Sequence, residues 1–139
     1  PIVIVVAALI PLSLSLGLIY KYLHSYHIIY LIFTIVGFLS ILLTRYFASK
    51  RIATLTLMLV HSISGVIIFL LPIGIYIKGF SSPFFPLVGV GGGLISVFGI
   101  LLAFLRMGKP ILSQDNIYVL MPKLLFLATV AFVIGLSLE

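Results

Sequence analysis

Five long apolar runs, separated by short breaks that contain charges, prolines or glycines, are the feature that most constrains this chain. A helix needs roughly 20 apolar residues to cross the hydrocarbon core of a bilayer, and most of these runs approach that length. Charged residues make up 7% of the chain and hydrophobic residues 63%, whereas about 25% of the residues of soluble domains are charged. The sequence therefore excludes an ordinary soluble domain and predicts an integral membrane protein with several crossings.

We expect an all-α integral membrane protein, a bundle of about five transmembrane helices forming a single membrane domain over residues 1–139. The predicted spans are residues 2–20, 27–44, 52–77, 86–105 and 122–138. Helices are favoured over a β-barrel because the runs are continuous, whereas barrel strands alternate over about ten residues. The chain has seven tyrosines, and most of them fall near predicted span ends, as in an interfacial aromatic belt. They are Tyr20, Tyr22, Tyr26, Tyr30, Tyr46, Tyr76 and Tyr118.

The orientation follows from the positive charges of the connections. The second and fourth connections are rich in basic residues, and the first and third carry one lysine each, Lys21 and Lys78. The basic residues of the second and fourth connections and of the start of the last span are Arg45, Lys50, Arg51, Arg106, Lys109 and Lys123. The positive-inside rule then places the N-terminus in the cytoplasm and Glu139 outside. We expect a multi-pass protein of the plasma membrane, and the richness in Ile, Leu and Val is typical of an archaeal or thermophilic source.

Composition narrows the chemistry further. The net charge is +6, but basic residues that flank spans meet lipid headgroups, so nucleic-acid binding is not expected. The chain has no cysteine, which excludes disulfides and thiolate metal sites. No carboxylate lies within a predicted span, and Asp115 is interpreted as a helix cap or turn former. We therefore expect no metal site and no intrinsic catalytic activity.

Glycines are concentrated in the fourth run. Gly89 and Gly93 have the small-xxx-small spacing that lets two helix backbones approach closely, and Gly99 extends the bare side. Close helix packing is the favoured interpretation. The alternative is a flat ligand, such as a quinone or a porphyrin edge, lying against the exposed backbone.

His61 is the one titratable side chain within the predicted hydrocarbon region, about 15 Å from the Arg51 end of its helix at 1.5 Å per residue. An ionisable group at that depth is a functional candidate by default. On a helical wheel it shares a face with small or weakly polar residues, Thr54, Gly65 and Pro72. We expect this stripe to point into the bundle, where the imidazole could ligate haem iron, relay a proton or hydrogen-bond a carbonyl group.

His24 and His27 are the other candidate haem ligands. Their spacing of three places them on one face of a helix that starts early enough, and Tyr30, Thr34 and Gly37 continue that face. The alternative is a pair of interfacial histidines in a wet connection. His27 lies about 27 Å above Arg45, against about 15 Å for His61, so one haem between His27 and His61 would need a broken helix.

The stretch from His24 to Gly74 resembles the second and third helices of cytochrome b561-type membrane proteins. His24, the Arg45-Tyr46 pair about 21 residues later, and His61 match the order in which that family places histidines and an arginine. The resemblance implies transmembrane electron transfer through two b haems, each held by histidines of different helices. The remaining half of this sequence has no histidine where the other two ligands would stand.

Three functions remain open. The favoured one is a small accessory subunit of a larger respiratory or redox membrane complex, which packs against other integral-membrane subunits. The second is a b561-like haem b electron-transfer subunit, with the haem shared with another chain. The third is a small transporter or channel with a binding site at helices interrupted by Pro11 and Pro72.

Overall fold

The computed structural model describes residues 2–106 and 108–139, with the backbone alone at Ala103 and Arg106. Arg106, counted above among the basic residues, therefore has a side chain outside the described part. The described residues form five α-helices joined by short connections, with a single 3₁₀ turn and no strand. The helices are α1 (Ile2–Tyr22), α2 (His27–Phe47), α3 (Lys50–Ile77), α4 (Pro86–Arg106) and α5 (Gln114–Ser137), and the 3₁₀ turn is His24–Tyr26. The predicted all-α architecture is confirmed.

Four helices are long and apolar enough to cross a membrane. They are α1, α2 with the turn that precedes it, α3 and α5. In α4 the apolar stretch that is described in full is shorter, Pro86–Leu102. A helix satisfies its backbone hydrogen bonds internally, which a lipid-exposed segment requires. The chain therefore fits a multi-pass membrane protein.

The chain divides into two compact units, Pro1–Ile68 and Phe69–Glu139, and α3 contributes to both. In the first unit α1, α2 and the first part of α3 share an apolar core. The buried α1 positions are three or four residues apart, so they share one face of the helix. The core residues are Val5, Ala8, Leu12, Ile41 and Val60, and Phe33, Phe38, Leu42 and Leu57 pack against them.

In the second unit α4 lies against α5 and against the last part of α3 at glycine positions. A Cβ added at Gly89 would lie 2.6 Å from the backbone oxygen of Phe69, and one at Gly93 would lie 3.1 Å from the Phe69 ring. On the α5 side, a Cβ at Gly91 would lie 3.0 Å from the backbone oxygen of Ala128. Gly99 has no such neighbour within 4 Å. The close approaches are thus made near the N-terminal half of α4 and not along its whole length.

Two helices end on glycines in the left-handed region. Gly79 has φ of 76°, and its N–H donates to the Tyr76 carbonyl group while that of Phe80 donates to Ile75. Gly108 has φ of 72° and closes α4 with the same pair of hydrogen bonds, to Leu105 from its own N–H and to Phe104 from that of Lys109. These are Schellman caps, which satisfy carbonyl groups that the helix leaves unpaired.

The last helix starts earlier than the sequence predicts. The predicted fifth span opens at Pro122, but α5 begins at Gln114 and Pro122 lies inside it. Ser113 is the N-cap, because its side chain accepts a hydrogen bond from the Asn116 N–H, and Asp115 stands in the first turn. The interpretation of Asp115 as the cap itself is therefore wrong, although a carboxylate in a first turn stabilises a helix.

We predict that Gly89→Ala destabilises the protein by about 1–3 kcal/mol. The added methyl group would meet the Phe69 backbone oxygen, which cannot move without shifting α3. Equilibrium unfolding in mixed micelles measures the change. Gly99→Ala is the matched control, because its Cβ meets open space. Equal losses for the two variants would contradict the assignment of close packing to Gly89.

Candidate functional site

The first unit contains two clusters of polar and aromatic side chains and one isolated histidine. The hydroxyl cluster consists of Ser15, Tyr30 and Ser64, one from each of α1, α2 and α3. The aromatic cluster consists of Tyr20, His24 and His27, at the junction of α1 and α2. His61, on α3, belongs to neither. The sequence singles out the three histidines but not the two serines.

The hydroxyl cluster is buried and internally hydrogen-bonded. Ser15 and Ser64 are 0% exposed and Tyr30 is 9% exposed. The Tyr30 hydroxyl donates to Ser15 Oγ at 2.9 Å, and Ser64 Oγ lies 3.5 Å from the same hydroxyl. Ser15 Oγ in turn donates to the Pro11 carbonyl oxygen at 2.6 Å, with the Leu12 carbonyl oxygen at 3.1 Å. One tyrosine therefore links three helices through side-chain hydrogen bonds.

The position of Tyr30 near a predicted span end suggests an interfacial residue, but its side chain is buried among the helices of the first unit. It lies on the face of α2 that also buries Gly37 and Ile41, and its ring packs beside Phe33 with ring centroids 5.2 Å apart. Its hydroxyl finds buried partners, which a tyrosine needs away from water. The burial of Ser15 could have been predicted from the sequence, because Ser15 continues the spacing of Ala8 and Leu12 on the apolar face of α1.

The aromatic cluster is a stack of rings at a helix junction. The imidazoles of His24 and His27 are stacked with centroids 4.3 Å apart and an angle of 21° between planes. The Tyr20 ring meets both edge-on, with centroids 5.4 Å from His24 and 5.7 Å from His27. The His27 Nδ1 is also hydrogen-bonded to the His24 carbonyl oxygen. Because α2 begins at His27 and His24 lies in the preceding 3₁₀ turn, the two imidazoles meet at the start of α2 and not on one face of a longer α-helix.

His61 does not point into the core of the first unit. It is exposed, beside the buried face of α3 that carries Val60 and Ser64, and Thr54 of the predicted polar stripe is exposed with it. The expectation that the stripe of Thr54, His61 and Gly65 points inward is wrong for His61 and Thr54. Small residues on a helix face do not by themselves determine which face a neighbouring helix covers. No hydrogen bond joins His61 to the residues that the structure describes.

Neither His24 with His27 nor His27 with His61 has the geometry of a bis-histidine haem site. Two axial ligands must stand on opposite sides of a haem plane, whereas the stacked rings of His24 and His27 leave no room for one. The contact between Tyr30 and Ser64 sets α2 and α3 in register. His27 lies about 4.5 Å beyond Tyr30 and His61 about 4.5 Å beyond Ser64 in the opposite direction, so their backbones differ by roughly 9 Å in depth. In the described part, no group of three metal-binding side chains occurs either.

Comparison with known protein families, with characterised proteins and with solved structures finds no match to this chain.

We predict that Tyr30→Phe lowers the free energy of unfolding by about 0.5–1.5 kcal/mol, the range of interhelical hydrogen bonds in membrane proteins. The change keeps the ring but leaves Ser15 and Ser64 without their shared partner. Unfolding in mixed micelles measures it. Tyr26→Phe removes an exposed hydroxyl from the 3₁₀ turn and should have little effect. An equal loss of unfolding free energy in Tyr30→Phe and Tyr26→Phe would contradict a stabilising role of the hydroxyl cluster.

Proposed function

We propose that this chain is a small accessory integral-membrane subunit of a larger complex of respiratory or redox type, and that it packs against other integral-membrane subunits. The observation that carries the proposal is the exposure of His61 on the first unit at membrane depth. The redox class rests on the resemblance of residues 24–74 to b561-type proteins.

His61 is an expensive residue to place against lipid. It stands about 16 Å along α3 from Lys50, at 1.5 Å per residue, which is close to the middle of a bilayer. Met58, one turn away on the same side of α3, is exposed and apolar. A polar side chain in hydrocarbon loses its hydrogen bonds to water, so intramembrane histidines normally face protein or a cavity. A neighbouring subunit that covers this part of α3 supplies the missing partner.

The buried hydroxyl cluster also supports a neighbouring subunit at His61, because its own side chains already have partners. The hydroxyls of Ser15 and Tyr30 are satisfied by hydrogen bonds within the first unit. The buried hydroxyl cluster is therefore satisfied within the first unit, and His61 stands apart from it. An outward group of this kind is expected of a protein whose surface is completed by other chains.

A haem shared with another subunit is the second candidate, and the exposed imidazole of His61 favours it. An outward imidazole can serve as one axial ligand while the second comes from the neighbouring chain. His24 and His27 are weaker candidates for this role, because their rings are already stacked on each other and on Tyr20. In this version the partner of His61 is an iron atom and not a side chain.

The orientation belongs to the same proposal. The N-terminus faces the cytoplasm and the C-terminus faces outward, across the plasma membrane, with α4 as the fourth of five crossings. The support is the charge of the connections, with Lys50, Arg51 and Lys109 on one side and Lys78 on the other.

We predict that a photo-crosslinking amino acid at position 61 captures another integral-membrane protein in native membranes. Position 61 is exposed and lies where the neighbouring subunit is expected. Crosslinked products, separated by denaturing electrophoresis and identified by mass spectrometry, should contain one recurrent protein heavier than this 15.2 kDa chain. Absorption spectra of the same complex, reduced minus oxidised, distinguish the haem version, because a b-type band lost in His61→Ala assigns the iron to this residue.

Position 59 is the matched control. Leu59 is exposed on the same stretch of α3 but points away from His61, since two residues in a helix are separated by about 200°. Crosslinks to lipid alone at position 61, together with a monomer after extraction in mild detergent, would contradict the subunit proposal.

A further inference from the structure

The connection between α2 and α3 carries a compact group of positive charges. Arg45 lies in the last turn of α2, and Lys50 and Arg51 open α3. Between the two helices stand only Ala48 and Ser49. The basic group, defined as Arg45, Lys50 and Arg51, therefore gathers three charges around one tight turn.

No carboxylate in the first unit can neutralise this group. The two acidic residues of the whole chain are Asp115 and Glu139, and both belong to the second unit. Lys50 and Arg51 are exposed, whereas Arg45 is partly buried. The Nε of Arg45 is buried without a hydrogen-bond partner among the described residues. A buried guanidinium N–H without a partner is unfavourable, and a hydrogen-bond acceptor from another molecule would stabilise it.

The placement of Lys50 and Arg51 is also electrostatically unfavourable in the isolated chain. The N-terminus of a helix carries a partial positive charge, so basic residues in its first turn are repelled. The first turn of α3 has no acidic residue to offset them. An anion bound at this turn would remove the repulsion among the basic side chains and between them and the helix end.

The surroundings of the basic group match the edge of a bilayer. Tyr46 and Phe47 are exposed between Arg45 and Lys50, with Phe47 84% exposed. Aromatic side chains at helix ends settle at the headgroup level, where lipid phosphates are found. The occupant that combines negative charge with this depth is a phospholipid headgroup.

We propose that Arg45, Lys50 and Arg51 form a binding site for the phosphate headgroup of an anionic phospholipid. Arginine and lysine bind phosphate oxygens through charge-assisted hydrogen bonds. The exposed aromatic rings of Tyr46 and Phe47 lie beside the lipid at the headgroup level. The site does not depend on the subunit proposal, since its lipid would bind with or without partner chains.

Native mass spectrometry of the full chain in neutral detergent tests the site. The probes are phosphatidylglycerol, which is anionic, and phosphatidylcholine, which has no net charge. We expect one saturable phosphatidylglycerol adduct that binds more tightly than phosphatidylcholine. The double variant Lys50→Gln/Arg51→Gln should weaken phosphatidylglycerol binding at least about tenfold, because each basic residue near an anionic headgroup adds about 1 kcal/mol.

The double variant Lys109→Gln/Lys123→Gln removes the same charge elsewhere and should change binding by less than about twofold. Equal weakening by the two double variants, or equal binding of the two lipids, would overturn the site. Inorganic phosphate at the concentration of the lipid should leave the adduct in place. Its displacement at that concentration would overturn a lipid as the occupant.

Thermal unfolding separates binding from folding. Without anionic lipid, Lys50→Gln/Arg51→Gln should be at least as stable as the wild type, because it loses the repulsion at the start of α3. Phosphatidylglycerol should raise the unfolding temperature of the wild type but not that of the variant. A variant less stable than the wild type in neutral detergent would contradict the argument from helix electrostatics.

Discussion

Hydrocarbon offers no hydrogen-bond partner, and this constraint underlies the rest of the structure. An unpaired backbone group in lipid costs several kcal/mol, so each segment that crosses must pair its own N–H and carbonyl groups. The chain meets this requirement with long helices and ends two of them in Schellman caps, at Gly79 and Gly108. Because apolar surface is not a driving force for association between helices in lipid, close packing and a few polar contacts must hold them together.

The two units use these two means in different proportions. In the first unit the Tyr30 hydroxyl joins Ser15 and Ser64 across three helices, beside an apolar core. In the second unit the contacts at Gly89 and Gly91 bring α4 close to α3 and α5 through backbone atoms. The polar groups of the hydroxyl cluster are thus structural, whereas His61, Lys50 and Arg51 are exposed. Both proposals about partners and lipids start from these exposed residues.

Composition and the length of the apolar runs were enough to predict an all-helical fold and the approximate position of every helix. Hydrophobicity was less informative about helix starts. The sequence suggests that a span opens at Pro122, but α5 begins at Gln114, because the Ser113 cap and a tolerated internal proline outweigh that signal. The more polar residues before Pro122 can still be helical, since a helix need not start where hydrocarbon starts.

Orientation around each helix was the hardest feature to predict. A helical wheel places His61 with Gly65 and Pro72, but it does not tell which face a neighbouring helix will cover, and His61 is exposed. The sequence suggests an interfacial Tyr30, because its hydrogen-bond partners are serines on two other helices and their proximity is not visible in the sequence. Gly89 and Gly99 look equivalent in the sequence, yet the structure gives a close neighbour to the first alone.

Membrane topology is the most direct test of the account, and the absence of cysteine makes it simple to measure. Single cysteines placed at Ser25, Ser49, Phe80 and Ile111 can be labelled in intact cells with a membrane-impermeant maleimide. The account predicts labelling from outside at positions 25 and 80, and labelling at 49 and 111 after the membrane is opened. Labelling of positions 49 and 80 from the same side, or release of the protein from membranes by alkaline carbonate, would contradict it.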